Sequence, residues 1–288
     1  KVQQAQARDQ RRQAMRKHWP SFSLGTASDG MLHQVALAYK KRFSDVVGDT
    51  PLERVQDLLV CDSATAASAL ASIDQVLGRQ DLPTVDDILA LEAKGKYHFI
   101  RPPALLAAQL AWERDAAAPL AWPESLAQKM VAFYLADGLG NMPAWYEMLV
   151  EAKPELVAPI LLRYAAPKLK HKAATGITGL WALSRRAKHQ ELARLVLPGL
   201  LAHFPLRAGE AARRELNHSL LAALHLLPEA EAAQLVSLKL SQPGMDATQR
   251  IAWMVADLPY HAASAERLAD WVGKNERRAI ALGVAMEE

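Results

Sequence analysis

A single cysteine, Cys61, in 288 residues leaves no partner for an intrachain disulfide and fits a reducing compartment. With no motif around it, Cys61 reads as a small buried apolar residue rather than a reactive thiol. Glycine is scarce, at 14, and runs of β-branched residues are nearly absent. Alanine and leucine fill the space, a balance that favours helix throughout. No stretch approaches the roughly 20 uncharged apolar residues of a membrane span. Gly-x-x-x-x-Gly-Lys-Ser/Thr and Gly-x-Gly-x-x-Gly are both missing, so these residues build no phosphate cradle of their own. The nine histidines show no metal-ligand spacing. His218 and His225 share a helix face but lack a third ligand. Ser, His and Asp are scattered without an elbow motif. The expectation is a cytoplasmic, non-enzymatic chain without cofactor, metal or membrane contact. Lys1-Val2-Gln3-Gln4 offers no initiating methionine and no apolar leader, so the chain is expected to be a piece of a longer protein.

The apolar fraction of 51% and charged fraction of 23% are those of a folded chain, and a net charge of +3 says little, because it averages over patches of opposite sign. Residues 1–19 are rich in Gln and Arg and read as a charged lead-in helix, or else as a nucleic-acid arm. From Met31 to Val47, Leu32, Val35, Ala36, Tyr39, Phe43 and Val46 keep a 3.6 period and predict one helix. Thr50-Pro51-Leu52-Glu53 reads as a capping box with proline in the first turn. Thr84-Val85-Asp86-Asp87 is a looser one. Asp86 and Asp87 point about 100° apart on a helix, so capping is favoured over ion binding. Residues 97–103 are the one segment that reads as extended, ended by Pro102-Pro103. Residues 116–123 carry Pro119 and Pro123 and read as a boundary, with a helical subdomain over 20–118 and a helical array over 119–288.

In that array the predicted helices are 124–137, 143–152, 154–166, 172–187, 190–204, 209–226, 229–240, 246–257, 264–273 and 275–286. Glu191-Leu192-Ala193 echoes Glu155-Leu156-Val157 36 positions on. Short turns and a ragged period predict an all-α fold, an α-solenoid of stacked antiparallel helix pairs of HEAT or armadillo type. The expected core is Leu156, Ile160, Leu180, Trp181, Leu192, Leu195, Val196, Leu220, Leu224, Ile251 and Trp253.

Between Glu155 and Glu191 there is no acid, yet there are seven cations: Arg163, Lys168, Lys170, Lys172, Arg185, Arg186 and Lys188. They read as one basic rim, either a solvated edge or a contact for an anionic partner. The seven tryptophans read as inter-helix core, or as stacking platforms for bases on a groove face. A third and distant reading is a helical-repeat DNA glycosylase, with Asp137 near Trp145.

Several strings carry a resemblance: Gly48-Asp49-Thr50-Pro51-Leu52-Glu53-Arg54, Asp81-Leu82-Pro83-Thr84, Pro154-Glu155-Leu156-Val157, Asp246-Ala247-Thr248-Gln249-Arg250 with Trp253, and Asn275-Glu276-Arg277-Arg278. Together they resemble the helical C-terminal regions of large bacterial NACHT-type signal-transducing NTPases. That resemblance implies a nucleotide site upstream and a helical array that senses or scaffolds, its partner a protein or the upstream domains of the same chain. A helical-repeat nucleic-acid binder is the alternative.

Overall fold

The computed structural model describes residues 13–138, 141–170 and 177–287, together with 6 and 10. Helix accounts for 73% of the chain, with no strand among the described residues. Most of the expected lead-in helix over 1–19 lies outside them, although 13–16 are helical. The chain divides into two compact units, residues 1–137 with 143–145, and residues 138–142 with 146–288. Residues 116–123, expected to be a boundary, instead carry a short helix inside the first unit.

The helices of the first unit are α1 (Trp19–Ser23), α2 (Asp29–Tyr39), α3 (Pro51–Leu59), α4 (Ser63–Asp74), α5 (Val85–Glu92), α6 (Arg101–Arg114), α7 (Ala118–Ala121) and α8 (Glu124–Asp137). Their centre is α6, against which α2, α4, α7 and α8 all pack. Its sequence explains this role. Pro102 and Pro103 occupy the first turn, where a missing N–H costs little. Ala104, Leu105, Leu106, Ala107 and Ala108 then follow, all buried, and their small alanines let neighbours approach from several sides.

The start of α3 is built as its sequence predicts. Thr50 Oγ1 accepts from the Glu53 N–H at 3.2 Å, and Glu53 Oε2 accepts from the Thr50 N–H at 3.0 Å. Gly48 lets the chain pass close beneath: its φ is +145°, and a Cβ there would stand 2.8 Å from the Arg54 nitrogen. Thr84 and Asp87 complete a second box at α5.

The predicted helix over 31–47 ends at Tyr39 instead. A left-handed residue ends it: Lys41 stands at φ +55°, its N–H donates to the Ala38 carbonyl at 3.0 Å, and the Arg42 N–H reaches back to the Leu37 carbonyl at 2.9 Å. Arg54, 8% exposed, donates from Nε to the Ala38 carbonyl at 3.1 Å and from Nη2 to the Tyr39 carbonyl at 2.8 Å. The Tyr39 carbonyl would otherwise take the N–H of a continuing helix. Nη1 also reaches the Gly48 and Asp49 carbonyls, at 3.3 and 2.9 Å, so one guanidinium satisfies both ends of the loop.

The second unit holds α9 (Ala144–Ala152) from Tyr146 onward, α10 (Pro154–Leu169), α11 (Leu180–Arg185), α12 (Gln190–His203), α13 (Glu210–Leu226), α14 (Glu229–Ser241), α15 (Ala247–Asp257), α16 (Ser264–Val272) and α17 (Glu276–Glu287). Pro205, Pro228, Pro243 and Pro259 fall between helices, as predicted. The packing order is local. Each helix from α11 to α16 packs on the next, and α10 on α12, α11 on α13, α12 on α14, α13 on α15 and α15 on α17. Gly199 of α12 lies under Leu162 of α10, where an added Cβ would meet its methyls at 3.2 Å. Asp246 caps α15 by accepting from the N–H groups of Thr248 and Gln249 at 3.0 and 3.2 Å. Gln249, 1% exposed, donates to the Pro205 carbonyl at 2.6 Å and ties α15 to the turn before α13.

Candidate partner-binding surface

The cations that form one run in the sequence have different neighbours in space. Arg163 and Lys170 are exposed along and just after α10, and the Lys168 ammonium lies 4.8 Å above the Tyr164 ring. Lys172 lies outside the described residues. Arg185 is exposed in the last turn of α11, a favourable place for a cation beside the helix dipole. Arg186 forms an ion pair with Glu147, and Lys188 Nζ donates to Glu151 Oε2 at 3.0 Å. Glu147 and Glu151 are one turn apart on α9, hence on one face. The run without acids is therefore supplied with acids by the helix that precedes it.

Trp181 is 51% exposed and Leu195 is 48% exposed, against the expectation that both are core. The cause at α11 is its length. Six residues bury Leu180, Ala182 and Leu183, which leaves Trp181 and Arg185, one turn apart, on the outer side. In α12 the inner face is Leu192, Ala193, Val196, Leu197, Leu200 and Leu201, and Leu195 falls beside that stripe with Arg194. Leu156, Ile160, Leu180, Leu192, Val196, Leu220, Ile251 and Trp253 are buried as expected, and Leu224 is half-buried.

Two buried titratable groups carry no signal in the sequence. His189 is 1% exposed in the turn between α11 and α12, and neither ring nitrogen has a hydrogen-bond partner among the described residues. Burial, with Arg186 nearby, pushes its pKa down to about 4. Glu215 of α13 is buried too, and loss of solvent raises its carboxyl above the usual range.

A third cluster resembles a triad in composition only. Asp257, 3% exposed, accepts from Ser264 Oγ at 2.6 Å and Arg267 Nη2 at 2.8 Å, with His261 Nδ1 at 2.9 Å. The hydroxyl is bound to the carboxylate rather than to the imidazole, so no base is placed to activate it. The cluster fastens the end of α15 to the start of α16. Asp137, the distant glycosylase candidate, is paired with Arg101 at 3.0 Å. Trp145 is 1% exposed, packed against Trp122 and Tyr134 with ring centroids 5.9 and 6.2 Å away, so it offers no face to a base. Cys61 is half-buried, its thiol pushed up to about 11 by burial and by Asp62.

Among the described residues no group of three or more His, Cys, Asp or Glu side chains is arranged to hold a metal, and no helix is long and apolar enough to cross a membrane. The molecule is all-α. No protein-family model matches the chain, and no curated protein or solved structure is significantly similar to it.

Proposed function

We propose that this chain is a non-enzymatic helical-repeat region that senses or scaffolds within a larger bacterial signal-transducing NTPase. The observation that carries the repeat reading is the packing order of the second unit, in which each helix from α11 to α16 packs on the next and most pack on the next but one. Such an order supports a solenoid of HEAT or armadillo type, whose repeats bury one another's apolar faces and leave a long surface for a partner. The link to an NTPase rests on the NACHT-type resemblance of the capping strings. Its test is the native protein that contains these residues. A Gly-x-x-x-x-Gly-Lys-Ser/Thr loop should precede Lys1, and deletion of residues 154–287 should leave nucleotide binding intact while removing its control. Loss of nucleotide affinity on that deletion, or absence of the loop, refutes the assignment.

One observation favours a nucleic-acid binder as the second reading: Trp181 is exposed one turn before Arg185, a stacking surface beside a cation. Arg186 and Lys188 are already paired with carboxylates. At most five of the seven rim cations remain for phosphates. The log–log salt slope on a single strand should then not exceed about −3.5 in magnitude. Titrating labelled oligonucleotides at two salt concentrations separates the readings. Affinity near the non-specific range of about 10⁻⁴–10⁻⁶ M favours the protein-sensing region. A tighter complex that is lost on Trp181→Ala and Arg185→Glu favours nucleic acid.

A further inference from the structure

A groove of ≈ 420 Å³ runs over α15 between α13 and α17, alternate helices of the second unit. Ala252 of α15 is the small residue that makes the trough. Leu216 of α13, fully buried, lies at one wall, and Ile280 of α17, 62% exposed, stands at the other. The rim carries a net positive charge: Arg213 and Arg214 lie with Glu210 on one bank and Arg277 on the other. Arg214 is held by Glu210 at 2.8 Å and Arg213 approaches Asp246 at 3.8 Å, whereas Arg277 makes no ion pair among the described residues. Arg277 and Ile280 are three positions apart on one helix and share a face.

We infer that this groove docks an acidic amphipathic helix of a partner protein, its apolar stripe over Ala252 and Ile280 and its carboxylates between the arginine banks. This inference rests on the repeat reading above, since it takes alternate helices as one binding face. The floor decides the class of partner. A nucleic-acid backbone would meet the arginines and leave the alanines and Ile280 uncovered. An amphipathic helix covers both, the mode in which an apolar face lies in a groove and flanking charges fix its register.

The test uses the whole chain and a fluorescein-labelled peptide of about twelve residues with leucine every third or fourth position and Glu or Asp between, the period of an amphipathic helix. Two controls accompany it, a lysine-for-acid counterpart and a scrambled peptide of equal composition. Fluorescence anisotropy should give saturable binding of the acidic peptide only, weakened by salt, as expected of exposed charges. Arg277→Glu should weaken it about tenfold or more and Ile280→Ser several-fold, by analogy with the loss of interface charges and anchors. Both side chains are exposed, so each variant should keep the melting curve of the parent, measured alongside. Equal binding of the scrambled or lysine peptide overturns the inference, as does affinity unchanged by both variants, displacement by a single-stranded oligonucleotide, or no saturable binding. The deletion experiment on the native protein is independent, so a failed titration removes the groove and leaves the sensing region standing.

Discussion

Acidification from pH 6.5 should destabilise the second unit through His189. The folded protein holds this imidazole neutral down to about pH 4, against an ordinary value of 6.5. Across that window the unfolded chain binds the additional proton, so stability present above pH 6.5 is lost as the pH falls towards 4. At about 1.4 kcal/mol per pH unit, the full window is worth about 3 kcal/mol, and the step from pH 6.5 to 5 about 2 kcal/mol. Glu215 acts in the opposite sense. Its raised carboxyl favours the protonated form in the folded state, so it costs stability at neutral pH and gives it back on acidification. The clean measurement therefore uses Glu215→Gln as the background. Urea midpoints at pH 7, 6 and 5 should fall in that background and fall less once His189→Leu is added, the remaining slope belonging to His33, whose burial also lowers its pKa. At pH 7 the leucine should cost little, because the imidazole it replaces has no hydrogen-bond partner among the described residues. A level profile in the Glu215→Gln background, or a slope left unchanged by His189→Leu, refutes the assignment. So does an NMR titration in which the His189 ring protonates near pH 6.5.

Arg54→Met should cost about 2–4 kcal/mol, since it removes charged donors from four carbonyls of which some can be rehydrated, and Arg54→Lys should cost less. Urea denaturation and hydrogen exchange over residues 38–59 would report it, and unchanged exchange there would contradict the role given to this guanidinium. Thr50→Ala should cost about 0.5–2 kcal/mol through loss of the cap, and an unchanged midpoint would mean that the box contributes nothing. Trp181→Ala should cost below about 1 kcal/mol and Trp253→Ala about 3–5 kcal/mol, because only the second is buried. Iodide should quench more of the tryptophan emission in the parent than in the Trp181 variant, and equal quenching in the two would return Trp181 to the core.

What could be read from the sequence is what depends on a few neighbouring positions. The box at Thr50 needs only Glu53 three residues on, and the start of α6 needs only Pro102 and Pro103. The end of α2 was not legible, because Lys41 turns left-handed there without a glycine to mark it, and Arg54 supplies further donors to its last carbonyls from 15 and 16 positions on. Trp181 was misread for a related reason. Periodicity assigns a face only when enough turns are available to phase it. Six residues of α11, following a glycine with φ of +91°, offer fewer than two turns. His189 has no signal of any kind in the sequence: a histidine beside Lys188 and Gln190 reads as solvated, and its burial comes from the turn between α11 and α12.

The basic rim separates charge along the chain from charge in space. A run free of acids between Glu155 and Glu191 describes only what is covalently near. Helices of opposite direction bring in residues from outside the run, and α9 does so with Glu147 and Glu151 set one turn apart, matched to Arg186 and Lys188. Exposed pairs of this kind contribute about 0–1 kcal/mol to stability, so their consequence is electrostatic: they lower the potential that a phosphate would meet. The groove over α15 shows the converse. Its three arginines come from two helices more than 60 positions apart and form no run in the sequence, yet they stand around one apolar trough. On the inference drawn above, a partner would read the second arrangement chiefly through Arg277 and Ile280, since Arg213 and Arg214, like Arg186 and Lys188, already face carboxylates.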